Sequence, residues 1–270
     1  MDWNKSKTIF IIVFSIVNVF LYSLYRDKLT DAQNVQVMGK TSIEELLKID
    51  NVTYDELPPY KNDPFYLSAK SMKFTDEKME KLGNQKFEIL DDTFLKSKLN
   101  KPVSVLNAKG TFDFTEILTK YVLNGAEYEL WDVDEEEQKA LFFQKEKTNP
   151  IYFSHNAMLT LHWNEKGEVT DYEQSMLGEF GSFNRKKDLL TPIDAIGNLY
   201  SRGHLKQDSK VKDMTLGYST HVQVSETQVF APTWHIRVEL KDGVIEDYFI
   251  NAIEGMIIEF QREPLEEENE

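Results

Sequence analysis

Five histidines are the side chains best able to carry a proton or ligate a metal near neutral pH: His155, His162, His204, His221 and His235. None lies in an H-E-x-x-H motif, and no two are spaced for one helix face. His155, His162, His221 and His235 fall in strand-like segments, which suits half-buried strand positions better than a metal site. Gly178-Glu179-Phe180-Gly181-Ser182 has the wrong order for a nucleophile elbow. There is no phosphate loop and no G-x-G-x-x-G. The acidic run Asp134-Glu135-Glu136-Glu137 lacks the spacing of a calcium loop and reads as a solvated loop. Asp171 and Asp247 could act as a carboxylate pair. Asn51-Val52-Thr53 is a glycosylation sequon by pattern. The chain has no Cys, which excludes thiol catalysis, thiolate zinc sites, iron–sulfur clusters and disulfides. The expectation is a protein without catalytic residues, cofactor or metal.

The elements that hold these residues begin with a membrane-like segment. Residues 8–25, TIFIIVFSIVNVFLYSLY, contain no charge. As a helix they would rise about 27 Å, close to the hydrocarbon thickness of a bilayer. Lys5 and Lys7 precede the segment, Arg26 and Lys28 follow it, and Trp3, Tyr22 and Tyr25 sit near its ends as interfacial anchors. Its length exceeds a signal-peptide core and no small-residue cleavage site follows directly, so an uncleaved single span is expected. Residues 1–28 carry a net charge of +2, which leaves −17 of the total −15 for the rest. An acidic body of this kind does not suit nucleic acid. The short N-terminal flank places residues 1–7 in the cytoplasm and the body outside the cell. Within the span, Ser15, Asn18 and Tyr22 share a helix face. A carboxamide in hydrocarbon calls for a partner, so this face is expected to meet another protein's transmembrane helix.

The body divides into four stretches: a linker at 26–40, a first unit at 41–150, a second at 151–262 and an acidic tail at 263–270. Thr41-Ser42 followed by Glu44-Glu45 is a capping box, and short helices are expected at 74–82 and 113–123. Thr191-Pro192-Ile193-Asp194 starts another helix, which stops at Gly203. Strands are expected at 157–163, 169–176, 214–224, 233–240, 244–252 and 256–260, with a hairpin turn at Asp242-Gly243. Gly167-x-Val169-x-Asp171-Tyr172 recurs 76 residues later as Gly243-x-Ile245-x-Asp247-Tyr248. Each copy follows a helix that ends in Gly, at Gly125 and Gly203. This order predicts an α+β fold behind one N-terminal transmembrane helix. Two subdomains follow, each an antiparallel sheet with a helix on one face, arranged as a duplicated unit. Asp171 and Asp247 then become equivalent structural positions in separate subdomains.

The opening Met1-Asp2-Trp3-Asn4-Lys5-Ser6-Lys7-Thr8-Ile9-Phe10-Ile11-Ile12-Val13-Phe14 resembles the start of the YycI (WalI) family. So does the stretch from Trp234-His235-Ile236-Arg237-Val238 through Tyr248-Phe249-Ile250-Asn251-Ala252-Ile253-Glu254-Gly255. Residues 60–150 match that family in pattern more than in motif. The resemblance implies a non-enzymatic, membrane-anchored regulator of the WalK–WalR (YycG–YycF) two-component system of Gram-positive bacteria. Its implied partners are the sensor histidine kinase WalK (YycG) and a companion regulator, YycH. The family brings no catalytic residues and no cofactor. Competing readings are an anchored cell-wall enzyme, which would need a cleft with paired carboxylates or a His-centred site, and a ligand- or peptide-binding module.

Overall fold

The computed structural model describes residue 7 and residues 10–23, 42–60, 65–79, 82–107, 109–184, 188–224 and 227–260. Helix α1 covers 10–23. Residues 8, 9, 24 and 25 of the expected span lie outside the described residues, as do the linker at 26–40 and the tail at 263–270. Fourteen helical residues rise about 21 Å. Among the described residues no helix is long and apolar enough to cross a membrane.

The remaining elements follow in order. They are α2 (Ile43–Ile49), β1 (Thr53–Tyr54), β2 (Phe65–Ser71), α3 (Asp76–Met79), β3 (Gln85–Leu90), β4 (Phe94–Ser104), α4 (Thr115–Lys120), β5 (Tyr128–Asp134), β6 (Lys139–Glu146), β7 (Asn149–Tyr152), β8 (Met158–Trp163), β9 (Glu168–Ser175), β10 (Leu177–Asn184), α5 (Pro192–Ser201), β11 (Lys210–Val224), β12 (Thr227–Glu239), β13 (Ile245–Asn251) and β14 (Ile257–Ile258). The fold is α+β, with a large mixed sheet and few helices.

Local chemistry explains the helix starts. The Ser42 hydroxyl accepts from the Glu45 amide at 3.2 Å. The Thr191 hydroxyl accepts from Asp194, and Pro192 stands at the first helical position, where a missing N–H costs nothing. Gly203 and Gly243 turn the chain with φ of +76° and +84°, a region open to Gly without a Cβ clash.

The sheet has two lobes. In the first, strands run in the order β5-β6-β8-β9-β4-β3, all antiparallel. Helix α4 covers one face, and Ile117 packs with Leu95, Phe142, Leu159, Leu161 and Tyr172. In the second, β11 and β12 form a long antiparallel ribbon. One edge of β12 takes β2 at residues 227–230 and β13 at residues 233–239, and β10 pairs outside β2. Helices α2 and α5 cover this lobe through Leu47, Ala195, Ile196 and Leu199 against Trp234, Ile236, Val238 and Ile250.

The pairing of strands differs from a division at residue 150. Residues 42–71 pack and pair with residues 177–258, and residues 72–176 form the other lobe between them. The first half also holds β1 to β7, where mainly helices are expected from the sequence. Of the helix expected at 74–82, Asp76–Met79 form α3, and residues 80 and 81 lie outside the described residues.

The repeat has a structural counterpart. The β8–β9 and β12–β13 hairpins each carry a Tyr whose hydroxyl reaches the chain just beyond a helix. Tyr172 donates to the Tyr121 carbonyl at 2.8 Å, after α4. Tyr248 donates to the His204 carbonyl at 3.2 Å, after α5.

Strand pairing and a buried carboxamide help to join the lobes. Strand β7 pairs antiparallel with β6 and parallel with β11. The close approach is possible because residue 217 is Gly: a Cβ there would lie 2.4 Å from the Pro150 carbonyl oxygen. The second joint is Gln144, fully buried on β6. Its carboxamide accepts from the Leu177 amide at 2.7 Å and donates to the Leu177 carbonyl at 3.0 Å, so one side chain replaces a strand partner at the start of β10. Gln144→Leu keeps the volume and strands both backbone groups. We expect a loss of about 2–6 kcal/mol of unfolding free energy, at roughly 1–3 for each orphaned group. Chemical denaturation of residues 29–270 measures it, and a change below about 1 kcal/mol would remove Gln144 from the joint.

Candidate functional site

The densest chemistry lies where the lobes face each other. Trp131 on β5, Phe143 on β6, Tyr152 on β7 and Phe153 just after it meet His235 on β12, Phe249 on β13 and Phe260. The His235 ring centroid is 4.9 Å from both Trp131 and Phe249 and 5.7 Å from Tyr152. Phe153 adopts φ +47°, a costly region for a large side chain, of order 1–3 kcal/mol. Its ring is held by Phe143, Phe249 and Phe260.

One charged group borders this aromatic cluster at an exposed position of β13. Asp247 Oδ1 lies 2.7 Å from His235 Nε2 and 2.9 Å from Arg237 Nε. An ionised carboxylate only accepts, so Nε2 carries the proton and donates. Burial pushes the Asp247 carboxyl up, but the bonds from His235 and Arg237 and their charge outweigh it, and the group titrates below its ordinary value. The Arg237 guanidinium carbon also stands 5.8 Å from the Trp131 ring centre, a cation–π contact across the lobes. A cavity of about 140 Å³ opens beside them, lined in part by Glu129, Tyr152, Asp213 and Thr215. Burial, with Glu129 and Asp213 nearby, pushes the Tyr152 phenol up, so it stays protonated.

These charges are committed to one another. His235 has its carboxylate, yet no hydroxyl nucleophile is hydrogen-bonded to its ring among the described residues. The arrangement joins strands and lobes, and it does not assemble a nucleophile–base pair.

The other singled-out residues stand apart. Asp171 lies on β9 in the first lobe, opposite His162 and Lys98, and accepts from Thr170 at 2.7 Å. Asp247 lies opposite Arg237 in the second lobe. The two carboxylates therefore hold matching hairpin positions in different lobes. His204 packs edge-on against Tyr248, and His221 against Tyr66. His155 gives its carbonyl to the Ser175 hydroxyl. In the 134–137 run, Asp134 accepts from the Glu137 amide and closes the β5–β6 turn. Asn51, in the sequon, donates to Asp208 at 2.8 Å. No cluster of three or more metal-ligating side chains occurs among the described residues. Trp131 and Arg237 are not apparent from motif reasoning. The signal for Arg237 was there: it shares a strand face with His235, and the turn at 242–243 puts Asp247 opposite it.

Helix α1 is of another kind. Ser15, Asn18 and Tyr22 fall on one face and all are exposed. The Asn18 carboxamide donates to the Phe14 carbonyl at 2.8 Å, so part of its hydrogen-bonding capacity is met within the helix. The apolar residues around it are exposed as well, from Val17 at 45% to Phe10 at 72%.

The Asp247 group gives a pH prediction. Its folded carboxyl titrates below the unfolded one, so its stabilisation is complete above the unfolded value, about pH 4, and is lost as pH falls through the folded value. Asp247→Asn should cost about 1–3 kcal/mol at pH 7. The gap to the parent should narrow as pH drops below about 4. Denaturation midpoints across pH 3–7 test this; a constant gap would show that the charge plays no part.

The fold and this geometry meet three comparisons. No protein of curated function matches the chain. An uncharacterized protein from Eubacterium rectale ATCC 33656, solved at 1.45 Å, is similar at 11% identity and a TM-score of 0.42, over 78% of this chain and 92% of that one. The family described as YycI protein matches residues 30–253, well over half of the length and across both lobes. By that match the chain belongs to the YycI family.

Proposed function

We propose that the chain is a membrane-anchored, non-enzymatic regulator of the WalK (YycG) sensor histidine kinase. It acts with a YycH-type companion, with its N-terminus in the cytoplasm and its body outside the cell. The family match carries this reading. The exposed apolar surface of α1 supports the anchor, because a helix apolar on nearly every side needs hydrocarbon or a core around it. The committed charges at His235, Arg237 and Asp247 favour a regulator over a cell-wall enzyme.

In this reading α1 is the working part and the body presents a surface to partners. The Ser15–Asn18–Tyr22 face meets a helix of the kinase or of the companion. A hydrogen bond of this sort is worth about 0.6–2 kcal/mol, so Asn18→Leu should reduce co-purification of the kinase by roughly 3- to 30-fold at matched membrane levels. Val17→Leu should leave it near the parent. Replacing residues 8–25 by a plain Leu-rich span should abolish regulation while the body stays folded. Full regulation by that chimera would make the span a mere tether.

Topology is tested separately. The chain has no Cys, so a single Cys placed in residues 263–270 has no background. It should react with a membrane-impermeant maleimide on intact cells. Labelling only after lysis would reverse the orientation.

A further inference from the structure

We infer that the outer edge of β3 is a docking site for β3 of a second copy of this chain, in an antiparallel pair about a two-fold axis at Phe87. The inference does not depend on the regulator reading above. Strand β3 ends the strand order of the first lobe and pairs on one side, with β4. Its register is unbroken from Gln85↔Leu99 to Leu90↔Phe94, with no Pro and no bulge. The other long outer strands, β5 and β10, each carry a register shift, at 130–132 and 178–181, a common guard on a sheet edge. The Asn100 amide donates to the Asn84 carbonyl at 2.9 Å. That bond sets the phase of the ladder. Residues 84, 86, 88 and 90 turn their N–H and C=O groups to β4, and Gln85, Phe87 and Ile89 turn theirs to the open edge. Among the described residues no bond is made to these outer groups.

Charge selects the occupant. Lys86 lies directly opposite Lys98, a like-charge pair. Glu88 lies opposite Lys96, whose ammonium is bound to Glu173 at 3.0 Å. The exposed face of β3 is therefore short of a carboxylate beside Lys86 and of a cation beside Glu88. The two-fold registers of greatest overlap are centred on Lys86, Phe87 or Glu88. The first sets Lys86 against itself, and the last sets Glu88 against itself. The register centred on Phe87 sets Lys86 of each copy against Glu88 of the other. It also bonds Phe87 to Phe87 and Gln85 to Ile89 on both sides, about six backbone hydrogen bonds. Phe87 and Ile89, half-buried at the margin of the core, are then covered by their counterparts. A strand of another protein would need a base, an apolar residue and an acid in this same order, which a second copy carries by construction. The charges that guard this edge against other strands admit its own.

The test uses the full-length chain, which has no Cys of its own. One copy carries Lys86→Cys and a differently tagged copy carries Glu88→Cys, both at exposed positions. In this register the two cysteines form a non-hydrogen-bonded pair about 4.5 Å apart at Cα, within disulfide range. Lys86→Cys against itself is a diagonal pair at about 7–8 Å, beyond that range. Mild oxidation of cells making both copies should give the mixed dimer several-fold above either self-linked dimer. Equal mixed and self-linking, or no linking, would overturn the pairing. Linking of either Cys to a different protein in place of the mixed dimer would give the edge to another partner and overturn the second copy. Charge reversal adds a measurement without cysteines. Lys86→Glu in both copies should cut co-purification of the two tags several-fold. Adding Glu88→Lys should restore it, because opposite charges then face each other again. No loss from the single change, or no recovery in the double, would overturn the pairing as well.

Discussion

The hydrogen bonds between β11 and β12 run from Lys210↔Glu239 to Val224↔Thr227, and both outer edges of this ribbon are put to use. On the β12 side the edge serves β2 and then β13. Pro232 stands between the two partners. Its carbonyl accepts from Ala252, so its missing N–H faces the same edge, at a point where neither strand asks for a donor. On the β11 side the edge serves β1 near Val211 and β7 near Tyr218. One pair of long strands thus supports two short partners on each side. Helices α2 and α5, the outer strands and the first lobe all hang from it.

The joint between lobes uses the two interactions that survive burial best. Gln144 meets backbone groups with a side chain of the right length, and none of its own polar atoms is left over. Arg237 lays its guanidinium against Trp131 of the other lobe, and His235, whose ring also meets Trp131, donates to Asp247 within its own lobe. Gln144 and His235 are both buried, so losing the Leu177 or the Asp247 partner would leave a buried polar group without a bond. An aromatic cluster alone would allow the lobes to slide. The polar groups set one relative position.

Much of this was legible in the residues. The caps at Ser42 and Thr191, the turn at Asp242-Gly243 and the recurring Gly–Asp–Tyr pattern depend on near neighbours, and local spacing records them. The β3–β4 hairpin is written locally as well. Phe87 and Ile89 alternate with Lys86 and Glu88, and Leu95 and Leu99 with Lys96 and Lys98, a period of two written in residues common in helices. What the sequence does not show is partnership over distance. That β2 belongs with β12 and β10 depends on a match of surfaces more than 100 residues apart. Trp131 is simply one aromatic in a strand until Arg237 comes to lie over it.

Because residues 72–176 form a lobe set between the two parts of the other, the order of synthesis matters. The inserted lobe has all its strands by residue 176 and closes mostly through neighbouring hairpins, so it can fold while the chain is still emerging. The outer lobe cannot. Helix α2 and strand β2 are made early, yet β12 and β13, which complete their core, arrive only after residue 227. For that interval, Leu47, Leu67 and Ala69 have no core to enter. A chain delivered across a membrane from its N-terminal end would emerge with these residues first. A holding factor at the exit, or the finished inner lobe itself, would have to shelter them until the last hairpin appears.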